Sequence, residues 1–220
     1  VESIKPFDGA QGGPGYEVAI AQNGKSQTLK VEKVLVAVGR KPNTDKIGLE
    51  NTKIKTDRGY IPVSGLMETA EPGIYAIGDV CPTPQLAPVA SAQGILAVEK
   101  IAGKEVKPIN YERVPGVTYC QPQTASVGLT EKKAKERGHA VKCGKFPFMG
   151  IGKASIEGEN EGFVKIVADT KYNEILGVHI VHASAGEMIS EAVAILNGEM
   201  TVDDLAHAIH PHPTLSEAVA

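Results

Sequence analysis

The chain has 220 residues, 42% hydrophobic and 22% charged, enough for one large or two small domains of an ordinary globular protein. A formal charge of -3 leaves no footprint for a nucleic-acid or membrane partner, no apolar run reaches the length of a membrane span, and the basic start of a signal peptide is missing. Cys81, Cys120 and Cys143 lie far apart and form neither a CxxC pair nor a metal-ligand cluster, which reads as reduced thiols in a cytoplasmic protein with no metal site.

Val1 to Ile4 already reads as strand with no initiator methionine, so the chain is expected to be a piece of a longer protein. Tyr16, Val18 and Ile20 alternate with smaller or polar residues at strand period. Asn23-Gly24 is a hairpin signal, because both turn positions need positive φ, and Thr28 to Val31 is the expected return strand. Val34 to Val38 is a continuous apolar run, expected as a strand buried on both faces. Gly59 to Val63 could form a short strand, and Gly73 to Ile77 reads as a second buried strand closed by Gly78-Asp79. After the prolines at 82, 84 and 88, Ala90 to Ala102 reads as a helix with Ile95, Val98 and Ala102 on one side. Residues 104–115 are the linker candidate. Strands are expected at Val117 to Cys120 and Thr124 to Gly128, then a short basic helix capped by Thr130. Ala140 to Phe148 reads as extended. Gly162 to Ala168 and Glu174 to His182 flank a turn at Asp169 to Asn173, an antiparallel hairpin. A helix with Met188, Ile189, Ala192, Ile195 and Leu196 on one face follows, and Thr201 caps another. The final residues from Leu215 read as the opening of a helix. The fold class is α/β in the first half and α+β in the second.

Three stretches could carry chemistry. A strand ending in Gly78-Asp79 puts a carboxylate where open α/β sheets bind ligands, and Asp79 could accept hydrogen bonds from sugar or ribitol hydroxyls. A loop aspartate that merely caps a turn has the same local sequence. Gln85, Leu86, Ala87 and Pro88 lead into a helix whose first amides suit a ligand that gains negative charge. In "VLVAVGRKPN", Gly39 permits close approach of a nucleotide, or marks a plain strand exit. At the end, "HPHPTLSEA" stiffens His212 with Pro213 and places Glu217 five residues on. If the carboxylate holds one ring nitrogen as a donor, the other is a base whose usual client is a thiol or alcohol. The expected geometry is a cis His212–Pro213 bond with His212 and Glu217 in hydrogen-bond reach. Surface histidines at a helix start are the alternative, to which His207 and His210 are assigned.

Taken together, "VLVAVGRKPN", "GIYAIGDV", "ASAQG", "GVTYCQPQTASVGLTE" and "HPTLSEA" resemble the lipoamide dehydrogenases, flavoprotein disulfide reductases with two dinucleotide folds. The resemblance covers essentially the whole chain, in order. It implies the C-terminal part of an enzyme that oxidises protein-bound dihydrolipoamide through a redox disulfide and FAD to NAD. Residues 1–40 would end a Rossmann-like NAD-binding domain, 41–107 would be a central segment that contacts FAD, and 110–220 an antiparallel-sheet-plus-helices dimerisation domain. Asp79 would bind the FAD ribitol, Gln85, Leu86, Ala87 and Pro88 would lie along the flavin, and Gly39 would touch NAD. His212 would take the dithiol proton, oriented by Glu217, in a homodimer formed through residues 110–220. A lipoyl-bearing acyltransferase of a 2-oxoacid dehydrogenase complex would be the partner. The family's glycine-rich FAD loop, CxxxxC disulfide and NAD loop are not in this sequence. Pro88 and Pro211 stand where the family usually has histidine and a small residue, and His182 where a glycine is common. The alternatives are a fragment of a related disulfide reductase and a dimerisation or interaction module without chemistry of its own.

Overall fold

The computed structural model describes residues 1–9 and 13–220. These form two compact units, Val1–Asn43 and Thr44–Ala220. Among the described residues no helix is long and apolar enough to cross a membrane.

The first unit is a three-stranded antiparallel sheet of β1 (Ser3–Gly9), β2 (Gly13–Gln22) and β3 (Lys25–Val31), in that order. The β2–β3 link is the two-residue turn expected from Asn23-Gly24, with φ of 53° and 75°. Positive φ at both positions gives the turn the twist of the strands it joins. That turn sets the register, placing Val18 opposite Leu29 and Tyr16 opposite Val31. Residues 34–38 form no strand, contrary to expectation: Leu35, Val36 and Val38 are 90%, 70% and 86% exposed. A buried parallel strand takes its ladder partners from distant segments of chain. Among the described residues none pairs with this one.

The second unit begins with irregular chain tied by two small apolar clusters. One joins Ile54, Ile61, Ala76 and Cys81, the other Met67, Leu96 and Ala97. Burial pushes the Cys81 thiol up to about 11, so it behaves as a small apolar side chain. The strand expected at Gly59 to Val63 reduces to a single bridge between Asp57 and Tyr60. Gly73 to Ile77 also departs from the reading as a buried strand. It folds back on its own predecessor, with Ala76 N–H donating to the Met67 carbonyl and Thr69 N–H to the Ile74 carbonyl, so its pairing is local and antiparallel.

Helix α1 (Ala87–Ile101) starts three residues before the expected Ala90. Pro88 sits in its first turn, where a missing N–H costs no helical hydrogen bond. Its buried face is Val89, Gln93, Leu96 and Ala97. Ile95 and Val98, expected to be that face, are 63% and 65% exposed. The helix carries apolar residues on more than one side, and the neighbours Leu66, Tyr75, Val106 and Ile109 decide which side is covered.

From residue 116 the chain builds a five-stranded antiparallel sheet in the order β4-β5-β8-β7-β6. Its strands are β4 (Gly116–Thr118), β5 (Gln123–Gly128), β6 (Val141–Pro147), β7 (Phe163–Asp169) and β8 (Ile175–His182). The short helix α2 (Glu131–Glu136) is capped by Thr130, whose hydroxyl accepts from Lys133 N–H at 3.2 Å. A further short helix, α3 (Gly152–Glu157), has no expectation in the sequence pattern. The β7–β8 turn is closed by the Asp169 carboxylate, which accepts from the Lys171 and Tyr172 amides at 2.7 and 2.9 Å. Helix α4 (Ala185–Asn197) buries Met188, Ile189, Ala192, Ile195 and Leu196, the expected stripe, against Ala125, Val127, Val178 and Ile180 of the central strands. His182 is fully buried at the β8–α4 junction, its ring 4.1 Å from that of Phe148. Its Nδ1 accepts from Ser184 N–H at 3.0 Å and its Nε2 donates to the Glu159 carbonyl at 2.8 Å. The last helix, α5 (Val202–His207), opens on a capping box between Thr201 and Asp204.

Candidate functional site

The C-terminal loop leaves α5 at Ala208 and ends in a single turn, Leu215–Ala218, where a helix opening was expected; the turn is of the 3-10 type. Ala218 and Val219 are buried in the main apolar core, which fixes that turn on the body of the unit. Glu217 therefore stands on an anchored support. Its Oε2 accepts from Thr214 N–H at 2.9 Å, and its Oε1 lies 2.8 Å from His212 Nδ1. A carboxylate only accepts, so Nδ1 carries the hydrogen, and in the neutral ring Nε2 keeps the lone pair. The His212 side chain is 78% exposed, so that lone pair is open to a substrate. The His212–Pro213 peptide is cis, and His212 and Glu217 are in hydrogen-bond reach, as the ending implied. The Thr214 amide, then His212, hold the Glu217 carboxyl below its usual range. The arrangement is an oriented histidine base beside a carboxylate that stays charged.

The two histidines that precede His212 part company. His207 remains exposed at the end of α5, its Nδ1 2.6 Å from the Asp203 carbonyl oxygen. His210, read as a surface residue, is tucked in: its Nε2 lies 2.7 Å from Glu191 Oε1 on α4. Nothing in the local sequence points to that pair, because the partners are on different elements.

A second cluster lies where Gly78–Val80 forms a 3-10 turn beside α1. Gly78 has φ of 73°, and a Cβ there would lie 3.3 Å from that of Ala90, so glycine both permits the turn and lets the helix close on it. Asp79 is exposed on this turn. Gln85 spans the loop, its Nε2 donating to the Asp79 carbonyl and the Tyr60 hydroxyl, both at 3.3 Å. No side chain caps α1 at Leu86, which leaves first-turn amides for a ligand. Not all of the Gln85–Pro88 stretch offers an amide: Leu86 N–H turns back to the Pro84 carbonyl, and Pro88 has none. Gln93 is the residue that sequence reading missed. It is fully buried, accepts from Gly78 N–H at 2.6 Å, and donates to the Thr83 and Tyr111 hydroxyls at 2.9 Å each. A polar side chain on the same stripe as Val89 and Leu96 was the available signal. Gly39 lies in the first unit, exposed, with φ of 79°. Among the described residues no group of three or more His, Cys, Asp or Glu is arranged to hold a metal ion.

Comparison with known proteins returns one family twice. Residues 2–94 match the pyridine nucleotide-disulphide oxidoreductase family, and residues 114–220 match the pyridine nucleotide-disulphide oxidoreductase dimerisation domain. A dihydrolipoyl dehydrogenase of Bacillus subtilis is 51% identical over 198 residues, covering 90% of this chain and 42% of that protein. One from Thermus scotoductus is 45% identical over 214 residues, covering 97% of this chain and 46% of its own. Among solved structures, LpdA from Mycobacterium tuberculosis superposes with a TM-score of 0.87 at 28% identity, over 99% of this chain and 46% of that one. The chain thus spans less than half the length of the relatives it matches.

Proposed function

Because the chain belongs to the pyridine nucleotide-disulphide oxidoreductase family, we propose that the protein it comes from is an NAD-dependent, FAD-containing dihydrolipoyl dehydrogenase, with His212 as the base of the dithiol half-reaction. The observation that carries this is the His212–Glu217 pair at 2.8 Å with the ring exposed. The identity of about half the residues to a dihydrolipoyl dehydrogenase supports it. His212 Nε2 takes a proton from the dithiol substrate, turning a weak nucleophile into a thiolate. Glu217 keeps the hydrogen on Nδ1 and compensates the charge the ring then acquires. Such a base typically contributes ~10²–10⁴-fold.

The residues around Asp79 fit a flavin nucleotide: an exposed carboxylate for polyol hydroxyls beside an uncapped helix start for an anionic edge. In this assignment Asp79 holds the ribitol, Gln85 to Pro88 flank the flavin, and Gly39 contacts NAD. When bound, FAD supplies the two-electron relay between dithiol and nicotinamide. Residues 1–40 are assigned to the NAD-binding domain, 41–107 to the central FAD-contacting segment and 110–220 to the dimerisation domain of a homodimer. A lipoyl-bearing acyltransferase is the assigned partner and the cytoplasm the assigned compartment.

The test uses the complete protein. His212→Gln slows dihydrolipoamide oxidation by NAD by ~10²-fold or more, and Glu217→Gln slows it less. Both keep native rates of NADH-driven reduction of an artificial acceptor, which needs no thiol deprotonation. Equal losses with both donors would make His212 a structural residue.

A further inference from the structure

From Ala206 to Pro213 every side chain is exposed but one, that of His210. Ile209 is 99% exposed, so no apolar anchor holds this stretch to the unit. The His210 side chain is only 9% exposed, with Nε2 2.7 Å from Glu191 Oε1 and Nδ1 3.1 Å from the Ala208 carbonyl oxygen. Both neighbours can only accept. A neutral imidazole has a hydrogen on one nitrogen, and would turn a lone pair toward one of these acceptors. The imidazolium satisfies both. His212 follows two residues later, with Pro211 between them fixing φ.

Resting on the reading of His212 as the thiol's base, we propose that His210 is a positioning residue: as an imidazolium clamped between Glu191 and the Ala208 carbonyl, it ties the His212 loop to α4, and loss of its proton releases that loop. The charged groups acting on His210 are Glu191 from α4 and Glu217 from the terminal turn, both acidic. Burial works against the charge on His210. The Glu191 and Ala208 hydrogen bonds and the two carboxylates outweigh it, and its pKa lies above the ordinary histidine value. A raised pKa means that the clamp is fully made below the ordinary value of about 6.5 and is lost as pH rises through the folded-state value. The clamp therefore belongs to the alkaline limb of the rate profile.

Nitrogen NMR of ring-labelled histidine in the complete protein reads the proton directly. Both His210 nitrogens are expected to be protonated in mildly acid solution and to titrate above the ordinary value. Glu191→Gln lowers that titration by about one pH unit. The alkaline fall of dihydrolipoamide oxidation moves down with it, while the rate in mildly acid solution and the NADH-driven reduction of an artificial acceptor stay native. A His210 ring that loses its proton at or below the ordinary value overturns the clamp, even if Glu191→Gln does not fold. So does an unmoved alkaline limb in Glu191→Gln where His212→Gln is slow, and the base reading then survives. An undiminished rate in His212→Gln overturns both.

Discussion

Glu217 gives one carboxylate oxygen to a backbone amide and the other to an imidazole. The amide contact sets the direction of the side chain, and the histidine is aimed by what is left. Both contacts favour the charged form, so the folded-state pKa is depressed. The contribution is then present above the ordinary carboxylate value of about 4.3 and disappears as pH falls through the lower folded-state value. Hydrogen exchange of the Thr214 amide checks this. It should stay protected through mildly acid solution and open only below the usual carboxylate range. Protection lost well above that range would show that another group holds the amide. This pair was legible because five residues of loop carry both partners. The His210–Glu191 pair was not: its partners are 19 residues apart and meet only because the loop packs on α4.

Helix α1 illustrates what an element takes from its surroundings. Its existence follows from composition and from Gly103 behind it, but the buried face is the one with Gln93 on it. That side chain satisfies Gly78 N–H and the hydroxyls of Thr83 and Tyr111, so it joins the helix to the Asp79 turn and to the chain beyond residue 110. Gln93→Leu fits the space but leaves those three groups without their partner. An unsatisfied buried polar group costs about 1–3 kcal/mol, and these three are half-buried, so urea unfolding of the second unit should show a loss of up to that size. Tyr111→Phe removes one contact and should cost less. An unchanged midpoint for Gln93→Leu would mean that water replaces the amide and that the turn is held by the chain alone.

The second unit as a whole keeps large apolar side chains on its surface. Tyr119, Met149, Ile156 and Ile209 are all exposed, and all fall within residues 110–220. The matched family domain in this region is a dimerisation domain. For the complete protein we expect a homodimer whose interface buries on the order of 2,000 Å² or more. Light scattering at micromolar concentration should give twice the chain mass. A monomer would remove the support for the dimer and leave these side chains unexplained.

Local rules carried a good part of this molecule. The Asn23-Gly24 turn, the Thr130 and Thr201 caps, the Asp169 turn and the α4 stripe each depend on residues within a few positions of one another, where backbone preference and hydrogen bonding decide the outcome. The same locality exposed the His212–Glu217 dyad. Pairing and covering were decided by the tertiary structure. Val34 to Val38 and Gly73 to Ile77 have the composition of buried strands, yet a strand is buried only when other segments pair with it and cover it. Here the first finds no partner among the described residues, and the second pairs with the chain just before it. Gln93 and His210 follow the same logic: a polar side chain becomes internal where the packing of distant segments brings partners that match its hydrogen-bonding groups.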